Sequence, residues 1–162
     1  MARAPTAPDT ARVAAVTLVR SVDVAAPVED TWRAAVDWDS QGEWMLGTTV
    51  RGTAQGGVGV GGGLEAFTGI GRIGFLDTME ITAWDPPYRC EVLHTGRVVR
   101  GTGVFSVEER PGGRSRFVWE ESLELPLGLL GRLGWPLVRP VFAAGLKHSL
   151  NRFARSVESA QR

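Results

Sequence analysis

Residues 115–157, SRFVWEESLELPLGLLGRLGWPLVRPVFAAGLKHSLNRFARSV, decide the fold, because the hydrophobic period changes once within them. Up to Leu125 the apolar side chains alternate. Phe117, Trp119, Leu123 and Leu125 share one side, against Val118, Glu120, Ser122 and Glu124, which is the period of a strand with one buried face. Beyond Leu125 the spacing becomes helical: Leu146, Leu150, Phe153 and Val157 recur at four, three and four, a stripe that Phe142 and Val138 extend backwards. Lys147, His148, Arg152 and Arg155 lie off that stripe. Pro136 and Pro140 confine the expected helix to about residues 137–160, with a kink near its start.

Working back towards the N-terminus, residues 48–125 are short β-rich runs punctuated by GGVGVGGG, TGIGRIG, DPP, TGR and PGG. That pattern predicts an antiparallel meander with strands near 48–54, 63–68, 75–84, 88–95, 97–109 and 115–125. A further strand is expected at 17–24. It is followed by a helix opened by Pro27, with Glu29 and Asp30 in its first turn, and a second short helix near 39–46. Residues 1–14, with two prolines and no apolar run, read as a flexible leader, and 15–162 as one domain. The class is α+β: a curved, seven-stranded antiparallel sheet wrapped around a long C-terminal helix, with two short helices after the first strand. A bent sheet and a straight helix do not match in shape, so space is expected between them.

The 162 residues carry 18 basic and 18 acidic side chains, a balance that argues against a general nucleic-acid binder. A single cysteine, Cys90, excludes an intrachain disulfide and a thiolate zinc cluster, and only His94 and His148 could supplement it, so no metal site is expected. No apolar run is long enough to span a bilayer. The G-x-G-x-x-G matches at Gly57, Gly59, Gly62 and at Gly69, Gly71, Gly74 precede strand-like sequence rather than a helix, so they read as connections and not as a dinucleotide site. Charge is nevertheless uneven. Residues 126–162 hold six basic groups against Glu158 alone, and 23–43 hold six acids against Arg33. The basic helix face is either a solvated outer face, a dock for the acidic helices, or an approach to an anionic membrane.

The segment GRIGFLDTMEITAWDPPYR at 71–89, with Asp77, Met79, Glu80, Trp84, Asp85, Pro86 and Pro87, resembles the polyketide cyclase/dehydrase and lipid transport family of the START/Bet v 1-like (SRPBCC) superfamily. Glu124–Pro126 leading into the Arg-rich final helix adds to the resemblance, which covers about residues 16–160. It implies a helix-grip fold with a deep hydrophobic cavity for lipids, polyketides or other apolar small molecules. No cofactor is expected. The superfamily has no universal catalytic motif to carry across.

Strand parity proposes which side chains line such a cavity. Phe117 and Trp119 bring Glu121 inward. Val99 and Phe105 bring Arg97, Gly101 and Gly103. Tyr88, Cys90 and Val92 bring His94, and Phe75, Met79 and Ile81 bring Asp77. The candidate ionisable set is therefore Asp77, His94, Arg97 and Glu121, with His94 suited to proton transfer and Asp77 or Glu121 to orient it or act as base. The opposing reading keeps these groups wet at the sheet ends. Gly101 and Gly103 either give a ligand room or let the sheet bend. Further lining candidates are Phe67, Trp44 on the second short helix, and Phe142, Leu146 and Leu150 on the long one. Trp135 belongs either to an entrance flap, 127–135, or to a packed turn. His148 reads as surface.

The expected function is binding or transport of a hydrophobic small molecule by a cytoplasmic monomer or homodimer. The alternatives are a cofactor-free cyclase, aromatase or dehydratase using His94 with Asp77 or Glu121, and an interaction module whose interior is filled by its own side chains.

Overall fold

A computed structural model describes residues 15–124 and 129–161 of the chain. Seven strands form one antiparallel sheet: β1 (Ala15–Val24), β2 (Thr48–Gly52), β3 (Gly63–Ile70), β4 (Ile73–Asp85), β5 (Arg89–His94), β6 (Gly101–Arg110) and β7 (Arg114–Glu124). Their order is β1-β7-β6-β5-β4-β3-β2, so consecutive strands from β2 to β7 are hairpin neighbours and β1 closes on β7. Two short helices, α1 (Val28–Ala35) and α2 (Gln41–Trp44), separate β1 from β2, and α3 (Leu129–Ala160) lies across the concave face. This is the helix-grip arrangement expected from the change of period after Leu125. The leader expected at 1–14 and the connection 125–128 lie outside the described residues.

α1 begins where Pro27 occupies the N-cap with extended backbone and Glu29 and Asp30 fill the first turn, next to the partial positive charge of the helix start. Its buried side, Val28, Thr31, Trp32 and Ala35, packs on the sheet, where Thr31 and Ser115 share a buried hydroxyl–hydroxyl hydrogen bond of 2.7 Å. The second helix is shorter than expected: a 3-10 turn at Trp38–Ser40 runs into a single α-turn. Gly57, from the first glycine match, serves close packing instead of phosphate binding. It has φ +73°, a Cβ there would sit 2.7 Å from Trp38 Nε1, and that indole donates to the Gly57 carbonyl at 2.8 Å. The second match spans the β3–β4 hairpin.

The long helix begins at Leu129, eight residues before the expected start, and holds Pro136 and Pro140 inside it. A proline deprives only one carbonyl of its donor. Both prolines here are exposed, on the side where water can satisfy that carbonyl. The expected stripe is buried: Leu146 at 6%, Leu150 at 1%, Phe153 at 0% and Val157 at 4% exposure. At its far end, Glu158 accepts a hydrogen bond from the Ala25 backbone N–H at 2.9 Å, fixing the helix to the end of β1.

Regular alternation breaks at two places near the cavity. The register of β4 on β5 slips between Ile81 and Ala83, so Thr82 is an extra residue. Trp84 thereby packs inward against Trp32 at 5.2 Å, although its odd spacing from the buried Ile81 would put it on the other face of an unbroken strand. β6 begins at Gly101, four residues later than expected, and Gly101 itself has φ +127°.

Candidate functional site

Between the concave face and α3 the space divides in two. One half is solid: Trp44 meets Phe153 at a ring-centroid distance of 5.0 Å, Phe117 meets Phe153 at 4.6 Å, and Phe105 meets Phe117 at 5.1 Å. The other half is a cavity of about 400 Å³, within the range of small-molecule sites. Its floor is Trp38, Cys90 and Phe105. The sheet wall is Met79, Val92 and Trp119, and α3 contributes Phe142, Leu146 and Ser149.

Three of the four predicted ionisable groups meet on that wall. Asp77, His94 and Glu121 all line the cavity, with side chains exposed by only 7%, 7% and 12%. They sit at regular positions of β4, β5 and β7, and His94 is paired with Met79 on one neighbour and Gly101 on the other. Nδ1–H of His94 donates to Asp77 Oδ2 at 2.6 Å, and Nε2–H donates to Glu121 Oε2 at 3.2 Å. Glu121 Oε1 accepts from the Trp119 indole at 2.7 Å. Asp77 Oδ1 is buried with no hydrogen-bond partner among the described residues.

Burial alone favours neutral imidazole, but the hydrogen bonds to Asp77 and then Glu121 outweigh it and raise His94 to a pKa of about 9. His94 is therefore an imidazolium at neutral pH, held between two carboxyl groups. Its two nitrogens point to different partners, so the three side chains do not converge on one ion. Among the described residues no group of three or more His, Cys, Asp or Glu is placed to hold a metal. Burial pushes the Cys90 thiol, on the floor, up to about 12, which leaves it unreactive.

Of the remaining predicted lining residues, Phe75, Met79, Val92, Val99, Gly103, Phe105, Trp119, Phe142 and Leu146 border the cavity. Trp44, Phe117 and Leu150 point inward but belong to the solid half, buried at 2%, 0% and 1% exposure. Phe67 lies on the convex side, because Leu64, Ala66 and Thr68 are the β3 residues that face in. Tyr88 is 48% exposed and Arg97 is also exposed, since each sits in a turn just outside its strand, where parity no longer applies. Gly101 supplies no room: a Cβ there would lie 2.0 Å from the Ser122 carbonyl, so it serves the bend. The Trp135 side chain lies outside the described residues, and His148 is exposed. The expected entrance flap, 127–135, is α3 from Leu129 onward.

Residues not anticipated come from two places. Alternation over β2 and β3 would have found Thr48 and Val50, and Leu64, Ala66 and Thr68. No sequence signal marks Gln41, buried at 1% with its amide donating to the Ala35 carbonyl at 2.8 Å, or Ser149, which accepts from the Leu46 N–H at 2.9 Å.

A curved seven-stranded sheet gripping a C-terminal helix over a largely apolar hollow defines a helix-grip, hydrophobic ligand-binding fold. The chain belongs to the polyketide cyclase / dehydrase and lipid transport family, whose profile matches residues 15–158. Solved structures of similar fold include a protein of Thermus thermophilus, 17% identical, covering 91% of this chain and 100% of that one with a TM-score of 0.76. The Zhui aromatase/cyclase of a Streptomyces species is 16% identical over 92% of this chain and 97% of that one, TM-score 0.73. A Polyketide_cyc-like protein of Corynebacterium glutamicum is 16% identical over 92% and 95%, TM-score 0.64. At these identities the likeness is one of fold. No curated protein matches the sequence. Among the described residues, no helix is long and apolar enough to cross a membrane.

Proposed function

We propose that this protein binds and carries a hydrophobic small molecule, lipid or polyketide-like, in the cavity beneath α3. The observation that carries this reading is the composition of the wall: about 400 Å³ bounded mostly by apolar side chains, with one ionic cluster in which His94 bonds both carboxyl groups. Burial of apolar surface then supplies the affinity. The Glu121 carboxylate, the more exposed of the two, is placed to accept from a single ligand hydroxyl or phenol, which fixes orientation. Both His94 nitrogens are engaged, so proton transfer to a ligand would first break a charged, buried hydrogen bond. Such a carrier would work in the cytoplasm, as monomer or homodimer.

Native mass spectrometry of freshly purified protein tests the reading. A co-purified apolar compound is expected, and its loss in Ala66→Phe, which fills the hollow opposite Asp77, ties it to the cavity. A wild-type protein that carries nothing and fails to bind the neutral fluorophore phenylnaphthylamine would overturn it.

A second reading, cofactor-free cyclisation, aromatisation or dehydration of a polyketone, is favoured by the presence of a buried imidazolium between two carboxyl groups on the cavity wall. His94 would act as acid and Glu121 or Asp77 as base. It predicts that His94→Ala abolishes turnover of a poly-β-ketone while phenylnaphthylamine affinity is nearly unchanged.

A further inference from the structure

The end of the sheet where the cavity opens is unlike the rest of the surface. The topology gathers there the β3–β4 hairpin tip, the β5–β6 loop, the α2–β2 connection and the first half of α3. Gly69 N–H donates to the Gly47 carbonyl at 2.9 Å, and Glu124 N–H donates to the Arg100 carbonyl at 2.9 Å, which ties these pieces together. Leu46, Phe75 and Val141 line the cavity and are also exposed, so the mouth lies at this end.

Around the mouth, apolar side chains stand in water. Ile70 and Ile73, paired across the hairpin, are 88% and 85% exposed, and Leu137 and Val141 on α3 are 80% and 73% exposed. Val98 of the β5–β6 loop adds a fifth. The hairpin continues the inward parity of Thr68 and Phe75 past the part of the sheet that α3 covers, so nothing among the described residues packs on it. Interleaved with these are Arg72 at the hairpin tip, Arg97 and Arg100 in the β5–β6 loop, and Arg139 on α3. All four are exposed, and none makes an ion pair among the described residues. At the opposite end of the sheet, by contrast, Arg110 and Arg116 are held by Glu108 and Asp23.

We propose that this rim is a docking surface for an anionic lipid bilayer, with Ile70 and Ile73 entering the headgroup–acyl boundary and the four arginines meeting lipid phosphates. An exposed apolar patch of this kind marks an interaction site. Arginine pairs bidentately with phosphate, and a monolayer presents phosphate above hydrocarbon in the order that this rim presents arginine beside isoleucine. A second copy fits less well. A two-fold contact sets the same patch against itself and would bring unpaired arginines together. Seated this way, the cavity opens towards the bilayer and an apolar molecule passes between them without crossing water. That consequence rests on the proposed binding function, whereas the docking itself does not.

The test is co-sedimentation with vesicles of phosphatidylcholine alone and of phosphatidylcholine with phosphatidylglycerol, at low and high salt. Binding to the anionic vesicles is expected, weakened by salt and much weaker on neutral ones. Arg72→Ala and Arg97→Ala should each reduce it about fivefold. The double variant Ile70→Ser, Ile73→Ser should reduce it about tenfold or more, including the fraction that survives salt. None of these side chains lines the cavity, so unchanged phenylnaphthylamine affinity and thermal midpoint show that the variants are folded. Wild-type protein that ignores vesicles of both kinds, or binds them equally, overturns the proposal. So does a homodimer in sedimentation equilibrium that the isoleucine variant dissociates while vesicle binding is absent.

Discussion

At His94 burial and pairing act in opposite directions. Burial costs the charged ring its hydration, and two carboxyl groups return more than that, so the folded state holds the proton more tightly than the unfolded chain does. The folded pKa of about 9 lies above the unfolded 6.5, so the stabilisation is complete below about pH 6.5, declines as pH rises, and is gone above about pH 9. Its size is on the order of 3 kcal/mol. Urea midpoints measured across that window should fall for the wild type relative to His94→Gln, which lacks the titration. Parallel curves for the two proteins would show that His94 is not held between the two carboxyl groups. The same geometry orders the partners. Asp77 makes the shorter contact, 2.6 Å against 3.2 Å, so Asp77→Asn should lower the His94 pKa at least as far as Glu121→Gln does. Chemical-shift titration of the ring reads both.

At the scale of single elements, two glycines behave in opposite ways. Gly101 starts β6 with φ +127°, and a Cβ would meet the Ser122 carbonyl at 2.0 Å. Gly101→Ala should therefore cost at least about 1–3 kcal/mol from backbone strain alone. Gly145 is inside α3 with nothing nearer than Leu46 Cδ2 at 4.0 Å. Gly145→Ala should stabilise by about 0.5–1 kcal/mol, through helix propensity and reduced freedom of the unfolded chain. Chemical denaturation of both variants checks the contrast, and two changes of the same sign would contradict it. What sequence can show divides in the same way. Alternation is informative wherever a strand is regular, so Asp77, His94 and Glu121 are legible from Phe75, Val92 and Trp119 beside them. It is silent in turns, which is why parity places Tyr88 and Arg97 on a wall they do not touch. It is also reset by a bulge such as Thr82, which no glycine announces. The start of α3 differs from expectation for another reason: proline opposes a helix interior by removing one hydrogen bond, and an exposed helix tolerates that loss.

For the whole molecule, the question is which part of the interior is structure and which is site, and no periodicity records it. Phe117, Trp119 and Glu121 have the same parity on β7, yet Phe117 is fully buried in the aromatic cluster while Trp119 and Glu121 border the hollow. The division is made in three dimensions, where Trp44 from α2 and Phe153 from α3 converge on Phe117 and fill one half of the grip. The other half stays open because Ala66, Gly103 and Gly145 put little volume there. Stability and ligand binding should therefore separate. Phe153→Ala removes a ring from a packed cluster and should cost about 3–5 kcal/mol, with phenylnaphthylamine still bound by the protein that remains folded. Ala66→Phe adds a ring where there is vacant space, so it should cost less than the roughly 1–3 kcal/mol usual for overpacking a core, while binding is lost. Denaturant melts paired with fluorophore titrations on both variants make the comparison. If Ala66→Phe proves as disruptive as Phe153→Ala, both halves of the grip are packed in solution, and no space is left beneath α3 for a ligand.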